Sequence, residues 1–325
     1  MLQRLETKLI HAVSGHAYWG RPYALARTLL ATCSAITLAL NPPGVLFRLR
    51  GGPEIAAACD RVSRFGLFCQ VENLQWARWL AVAALLLVAT GWRPRVTGVL
   101  HWWVTVSLQV NATLVDGGES VASVLTLFLI PLTLTDPRRS HWAPMPNEDA
   151  HPMFRARVVA ATASLLLGLQ VAVIYAHASI GKFEVSQWAD GTALYYWLEY
   201  GAFRAPDWLV PLVRPLVRWA PSVTVLTWSV LVLEFLLGAS LLMPPRTRRV
   251  LFALAASMHL GILFVQGIAS FAVTMLAALL LSVWPHRDRL PLESATRDVL
   301  GRLQRLPRRF GRQRADSSPM EQGKP

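Results

Sequence analysis

Long apolar runs alternate with short polar breaks along this chain. Eight such runs lie at about 28–47, 75–91, 97–115, 120–135, 158–178, 222–243, 250–265 and 268–284. A bilayer core about 30 Å thick is crossed by about 20 apolar residues in a helix, and most of these runs approach that length. Runs this long and continuously apolar lack the two-residue alternation of half-buried strands. The predicted fold class is therefore all-α: a polytopic helical membrane protein with about eight transmembrane helices. The breaks carry their own signals. Asn41-Pro42-Pro43 should stop or kink the first helix, because proline lacks the N–H and crowds the preceding turn. Asp116-Gly117-Gly118-Glu119 reads as a tight turn, and Asp136-Pro137-Arg138-Arg139 as the end of the fourth run.

Charge sets a topology. The chain of 325 residues is 54% hydrophobic and only 16% charged, with a formal net charge of +13. Soluble domains carry about 25% charged residues. With eight crossings both termini share one side, and that side would hold 23 of the 32 Lys and Arg residues. Basic loops mark the cytoplasmic face, so both termini are expected inside the inner membrane. The same arrangement puts Asp116–Glu119 and the region of Lys182 outside. The positive charge is thereby accounted for by topology, and no nucleic-acid-binding motif accompanies it. The expected organisation is an amphipathic cytoplasmic segment at 1–27, a transmembrane domain at 28–284, and a basic, partly disordered cytoplasmic tail at 285–325. Two extracytoplasmic segments, 48–74 and 179–221, interrupt the domain. The first apolar run starts late and has no small-residue cleavage site, so no cleavable signal peptide is expected.

Ionisable groups inside such runs cost free energy and usually face the bundle interior in pairs. Lys182 stands at the end of the fifth run, with His177 before it and Glu184, Trp188 and Asp190 after it. One reading is a reactive amine in an outward-facing polar pocket; the other is a lysine snorkelling to the headgroups beside an interfacial tryptophan. His177 precedes Lys182 by a spacing that does not share a helix face, so it joins Lys182 only if the helix ends between them. Asp190 either pairs with Lys182 or belongs to the Asp190-Gly191 turn. Glu234 and His259 lie mid-run in the sixth and seventh helices and are expected to meet at similar depth if those helices pack antiparallel. Asp116 and Glu119 read first as a solvated turn. Cys59 and Cys69 share a predicted outer loop, where a disulfide is expected; a redox-active pair is the alternative. Cys33 reads as a buried thiol. No metal-ligand spacing and no cofactor motif stands out.

Two stretches carry a family resemblance. Residues 91–142, GWRPRVTGVLHWWVTVSLQVNATLVDGGESVASVLTLFLIPLTLTDPRRSHW, and residues 175–198, YAHASIGKFEVSQWADGTALYYWL, resemble the bacterial sporulation-delaying protein SdpB family. NPPGVLF at 41–47, Glu234 and His259 also fit. The resemblance implies a membrane protein that, with a small SdpA-like partner protein, matures a secreted peptide toxin. That family in turn resembles the wider horizontally transferred transmembrane (HTTM) domain, which includes the vitamin K-dependent gamma-glutamyl carboxylases. Their pattern Ala-Gly-x-Lys-Lys-Leu…Trp-x-x-Gly is matched in part by Ala178-Ser179-Ile180-Gly181-Lys182-Phe183 with Trp188 and Gly191. Lys182 falls on the second lysine, Gly181 replaces the first, and the large lumenal domain is absent. A shared scaffold is implied more than a shared reaction.

Three functions are consistent with these residues. The leading one is maturation or export of a secreted peptide toxin, with a polar site around Lys182. A second is a non-catalytic membrane scaffold, immunity factor or peptide channel. A third is a carboxylase-like, quinone-dependent membrane enzyme.

Overall fold

A computed structural model describes residues 17–48, 54–113, 116–145 and 153–284. Most of the expected N-terminal segment and the whole basic tail lie outside these residues, as do parts of the first outer loop and of the connection at 136–157. Among the described residues no strand forms; two isolated bridges, Arg48 with Ile55 and Trp92 with Ser140, tie loops together. The long helices are α1 (Arg21–Leu40), α2 (Leu74–Ala89), α3 (Pro94–Asn111), α4 (Gly117–Leu134) and α5 (Phe154–Lys182). Two short helices follow, α6 (Ala193–Glu199) and α7 (Val210–Arg218), and then α8 (Ala220–Gly238), α9 (Pro245–Gly261) and α10 (Ala269–Ser282). Five of these are long and apolar enough to cross a membrane: α1, α4, α5, α8 and α9 with its π-helical extension to Gln266. α2 and α10 are apolar but shorter. The fold is thus an all-helical, multi-pass membrane bundle.

The breaks act as their chemistry dictates. α1 stops at Leu40, and a single turn, Pro43–Leu46, follows the two prolines. α1 starts at Arg21, ahead of the expected start at 28, with Gly20 at its N-cap and Pro22 in its first turn, and Arg27 lies within it. α5 runs unbroken for 29 residues through Lys182. α4 begins with a capping box: the Asp116 side chain accepts a hydrogen bond from the Gly118 N–H, and the Glu119 carboxyl accepts one from the Asp116 N–H.

Small residues set the packing. In lipid, helices gain little by burying apolar surface from each other, so close van der Waals contact has to hold them. Ala24, Ala31 and Ala35 of α1 and Ala77 and Ala81 of α2 are buried, and the two helices pack together. A Cβ on Gly98 of α3 would lie 2.0 Å from Thr133 Oγ1 of α4. α10 is the pivot, packing on α1, α4, α5 and α9 and buried through most of its length. A second layer closes with α5 on α8 and α8 on α9.

The chain reversals place four groups at one end of the bundle: the 54–73 loop, the start of α4, the end of α5 and the α9–α10 corner. The loop is held by a disulfide between Cys59 and Cys69. Asn111, at the end of α3, donates to the carbonyls of Ala58 and Ser63, both at 2.8 Å. Phe47 and Phe68 pack against each other beneath it.

The opposite end holds a buried polar knot. Arg27 is fully buried and bonds His141 Nδ1 and Thr97 Oγ1, each at 3.0 Å. Asp136, also fully buried, pairs with Arg138 at 2.8 Å. Burial, with the nearby charges of Arg27 and Arg138, lowers the His141 imidazole to about 3, so it stays neutral.

Candidate functional site

Three helices converge on one polar cluster. On α5, Tyr175, Ser179 and Lys182 follow at four- and three-residue steps, which puts them on one face. On α8, Leu231 and Glu234 face them. Lys182 Nζ donates to both Glu234 carboxylate oxygens, at 2.7 and 2.6 Å. The Ser179 hydroxyl donates to the Leu231 carbonyl at 3.0 Å. From α9, His259 Nε2 meets the Tyr175 hydroxyl at 2.9 Å. Tyr175, Glu234 and His259 are all buried, whereas the Lys182 side chain keeps 23% of its surface exposed. Its ammonium also lies 5.2 Å from the centre of the Trp188 ring, a cation–π distance. The second ring nitrogen of His259, Nδ1, is buried without a hydrogen-bond partner.

The placement of each predicted residue follows from this geometry. Lys182, Glu234 and His259 come together, but Glu234 pairs with Lys182 and His259 with Tyr175 rather than with each other. His177 stays outside. Because α5 continues past it, the five-residue offset turns His177 onto another, exposed face. Asp190 also stays outside: it accepts hydrogen bonds from the Thr192 N–H and hydroxyl and shapes the turn at Gly191. Gly191 has φ +81, and a Cβ there would meet Thr224 at 2.7 Å. Glu184 is exposed. Tyr175 was not singled out by its own chemistry; its place on the Ser179–Lys182 face is the signal that finds it.

The arrangement holds a cation and an anion in close contact, next to a hydroxyl–imidazole pair, at the mouth of the bundle. A proton passed from Lys182 to Glu234 would leave a neutral amine, the nucleophilic or basic form of lysine. The Trp188 ring lies against one side of it. Among the described residues no group of three His, Cys, Asp or Glu side chains is placed to hold a metal.

The turn at Asp116 is more than a solvated loop. Glu119 is 5% exposed. The Ser270 hydroxyl donates to Asp116 from the α9–α10 corner. Burial pushes the Asp116 carboxyl up, but hydrogen bonding with Glu119, Ser270 and the Gly118 N–H outweighs it and holds the group below the ordinary carboxylate range. A Cβ on Gly118 would fall 2.6 Å from the Phe271 nitrogen, so glycine lets α4 meet α10 here. The ring of Phe271 then packs edge-on against His259, with centroids 5.8 Å apart. One residue thus separates the Asp116–Glu119 pair from the Lys182 cluster.

Relatives of known sequence agree with this architecture. A family model described as the HTTM domain matches residues 126–286, the stretch that contributes Lys182, Glu234 and His259. The uncharacterized protein YitO of Bacillus subtilis (strain 168) is 36% identical over 271 residues, which cover 82% of this chain and 86% of YitO. Sporulation-delaying protein SdpB of the same organism is 32% identical over 293 residues, covering 88% of this chain and 89% of SdpB. No solved structure matches. With near full-length identity of this order and the HTTM match behind it, the chain belongs to the sporulation-delaying protein SdpB family of HTTM-domain membrane proteins.

Proposed function

We propose that the protein sits in the bacterial cytoplasmic membrane with both termini inside and acts in the maturation or export of a small secreted peptide toxin. The Lys182–Glu234 pair is the centre of the outward-facing site, with His259 and Tyr175 behind it. The observation that carries this reading is the convergence of four polar side chains from three helices on one cluster, with a partly exposed lysine amine at its edge. Such groups are expensive in a membrane, and a helix bundle held by small residues does not need them. A small SdpA-like partner protein would complete the system, in keeping with the SdpB likeness.

A second reading is favoured by the closeness of the ion pair itself. Two oxygens of Glu234 engaged by one ammonium make a staple between α5 and α8, which suits a non-catalytic scaffold or immunity factor. Mass spectrometry of secreted peptides separates the two. Cells expressing this gene with its neighbours would carry wild type, Lys182→Ala or Lys182→Arg, with membrane levels checked. A working site requires the processed peptide to vanish in both variants while the protein persists. An unchanged peptide profile would reject the site. A profile that survives Lys182→Arg but not Lys182→Ala would mark a staple, since arginine keeps the charge.

A further inference from the structure

An open cavity of about 940 Å³ lies between α1 and the α9–α10 corner. That is at the upper end of the range for sites that take small ligands. Its long wall is apolar, formed by Ile36, Leu40, Ile268 and Val273 among others. Asp116 and Glu119 also line it, and they are its only acidic groups among the described residues, beside neutral polar Asn41, Gln266 and Ser270. Among the described residues no Lys, Arg or His lines the cavity, and no basic side chain forms a salt bridge with either carboxyl. The capping box explains how the two carboxyls are held. It does not explain why the buried Glu119 and the half-buried Asp116 face an open space with no described basic side chain beside them.

The shape and charge select an occupant with an apolar body and a cationic, donor-rich end. A zwitterionic lipid brings a phosphate beside its amine, and the described lining of the groove has no base to receive it. A quinone brings carbonyl acceptors to an end already made of acceptors. The α-ammonium of a peptide has three donors and no such conflict. We propose that this groove binds the amino-terminal segment of an apolar peptide, its α-ammonium held by Asp116 and Glu119. That the occupant is a peptide rests on the function proposed above. The groove would bring that end of the peptide to Phe271, across which lies the His259–Tyr175 pair.

The test is a binding titration on the full chain in phosphatidylcholine nanodiscs. The probes are a short synthetic Leu- and Ala-rich peptide with a free amino terminus and the same peptide acetylated. The free-amine peptide should bind more tightly by roughly tenfold or more, as a charged hydrogen-bonded contact requires. Asp116→Asn and Glu119→Gln keep the helix cap yet should abolish that preference. Ala269→Trp, at an exposed lining position, should weaken both peptides by filling the groove. Equal affinities for the two peptides would overturn the proposal, as would full binding in Ala269→Trp. Displacement of the peptide by phosphatidylethanolamine in the nanodisc would instead make the groove a lipid site and overturn it too. The titration reads binding alone. An unchanged secreted-peptide profile in Lys182→Ala would therefore sink the proposed function without touching this result, and equal affinities would sink the groove assignment by itself.

Discussion

Removing one member of the Lys182–Glu234 pair should cost much more than removing both. At 2.6 Å and an effective dielectric of about 20, the gross attraction is about 6 kcal/mol. Desolvating two charges takes back several kcal/mol, so the intact pair contributes little net stability. Each single variant strips away the attraction and keeps one desolvated charge, at a cost of about 3–5 kcal/mol for a buried pair. The geometry also orders the two singles. Lys182 keeps 23% of its side chain exposed and Glu234 only 10%. An orphaned Lys182 has a long stem with which to reach the headgroups, whereas an orphaned Glu234 has no such escape. Lys182→Met should therefore be the more damaging single, at about 4 kcal/mol, and Glu234→Leu the milder, at about 2–3 kcal/mol. The double variant should lie within about 1 kcal/mol of wild type, giving a coupling of several kcal/mol. Tryptophan fluorescence during SDS-titrated unfolding measures each corner of the cycle. Additive singles, with coupling below about 0.5 kcal/mol, would show that the two charges do not share a desolvated contact and would refute the argument.

Two further outcomes follow from the ends of the bundle. Cys59→Ser with Cys69→Ser should loosen the 54–73 loop by roughly 2–3 kcal/mol and open it to proteolysis at its exposed residues, and Asn111→Ala should do the same with the disulfide intact; resistance in both would contradict the docking described. At the other end, His141 is held neutral, with its ionisation lowered from 6.5 to about 3. Its contribution is present above the ordinary histidine range and is lost progressively as pH falls from 6.5 toward 3. Thermal stability in nanodiscs should accordingly fall below pH 6.5 in wild type and fall less in His141→Gln; parallel curves would show that another group titrates.

Much of this architecture can be read from the chain because a bilayer demands long apolar runs, and the prolines and glycines between them are strong punctuation. The α1 break at Asn41-Pro42-Pro43 and the interior positions of Glu234 and His259 both follow from that. The pairing inside the cluster does not. Depth along a helix can be counted, but which neighbour a side chain meets depends on helix rotation, and Tyr175 took the position facing His259. His177 stands apart for a related reason: it could join Lys182 only if the helix ended between them, and the length of α5 settles that. Arg27 shows the opposite limit. A lone arginine before an apolar run looks like an interfacial residue, and only the tertiary placement of Thr97 and His141 makes it an interior one. The Asp116–Glu119 spacing does carry a capping-box signal, but its role as a cavity wall needs α10 in place.

The amide of Asn111 imposes an order of assembly. The loop that follows α1 has its carbonyls at Ala58 and Ser63 satisfied by a residue at the end of α3, and the Ala58 N–H in turn donates to the Asn111 carbonyl. During synthesis the loop emerges before α3 exists. Its two cysteines precede α3, yet its carbonyls rely on water until the third helix arrives. The first hairpin is thus left provisional by its own sequence, and a later part of the chain completes it.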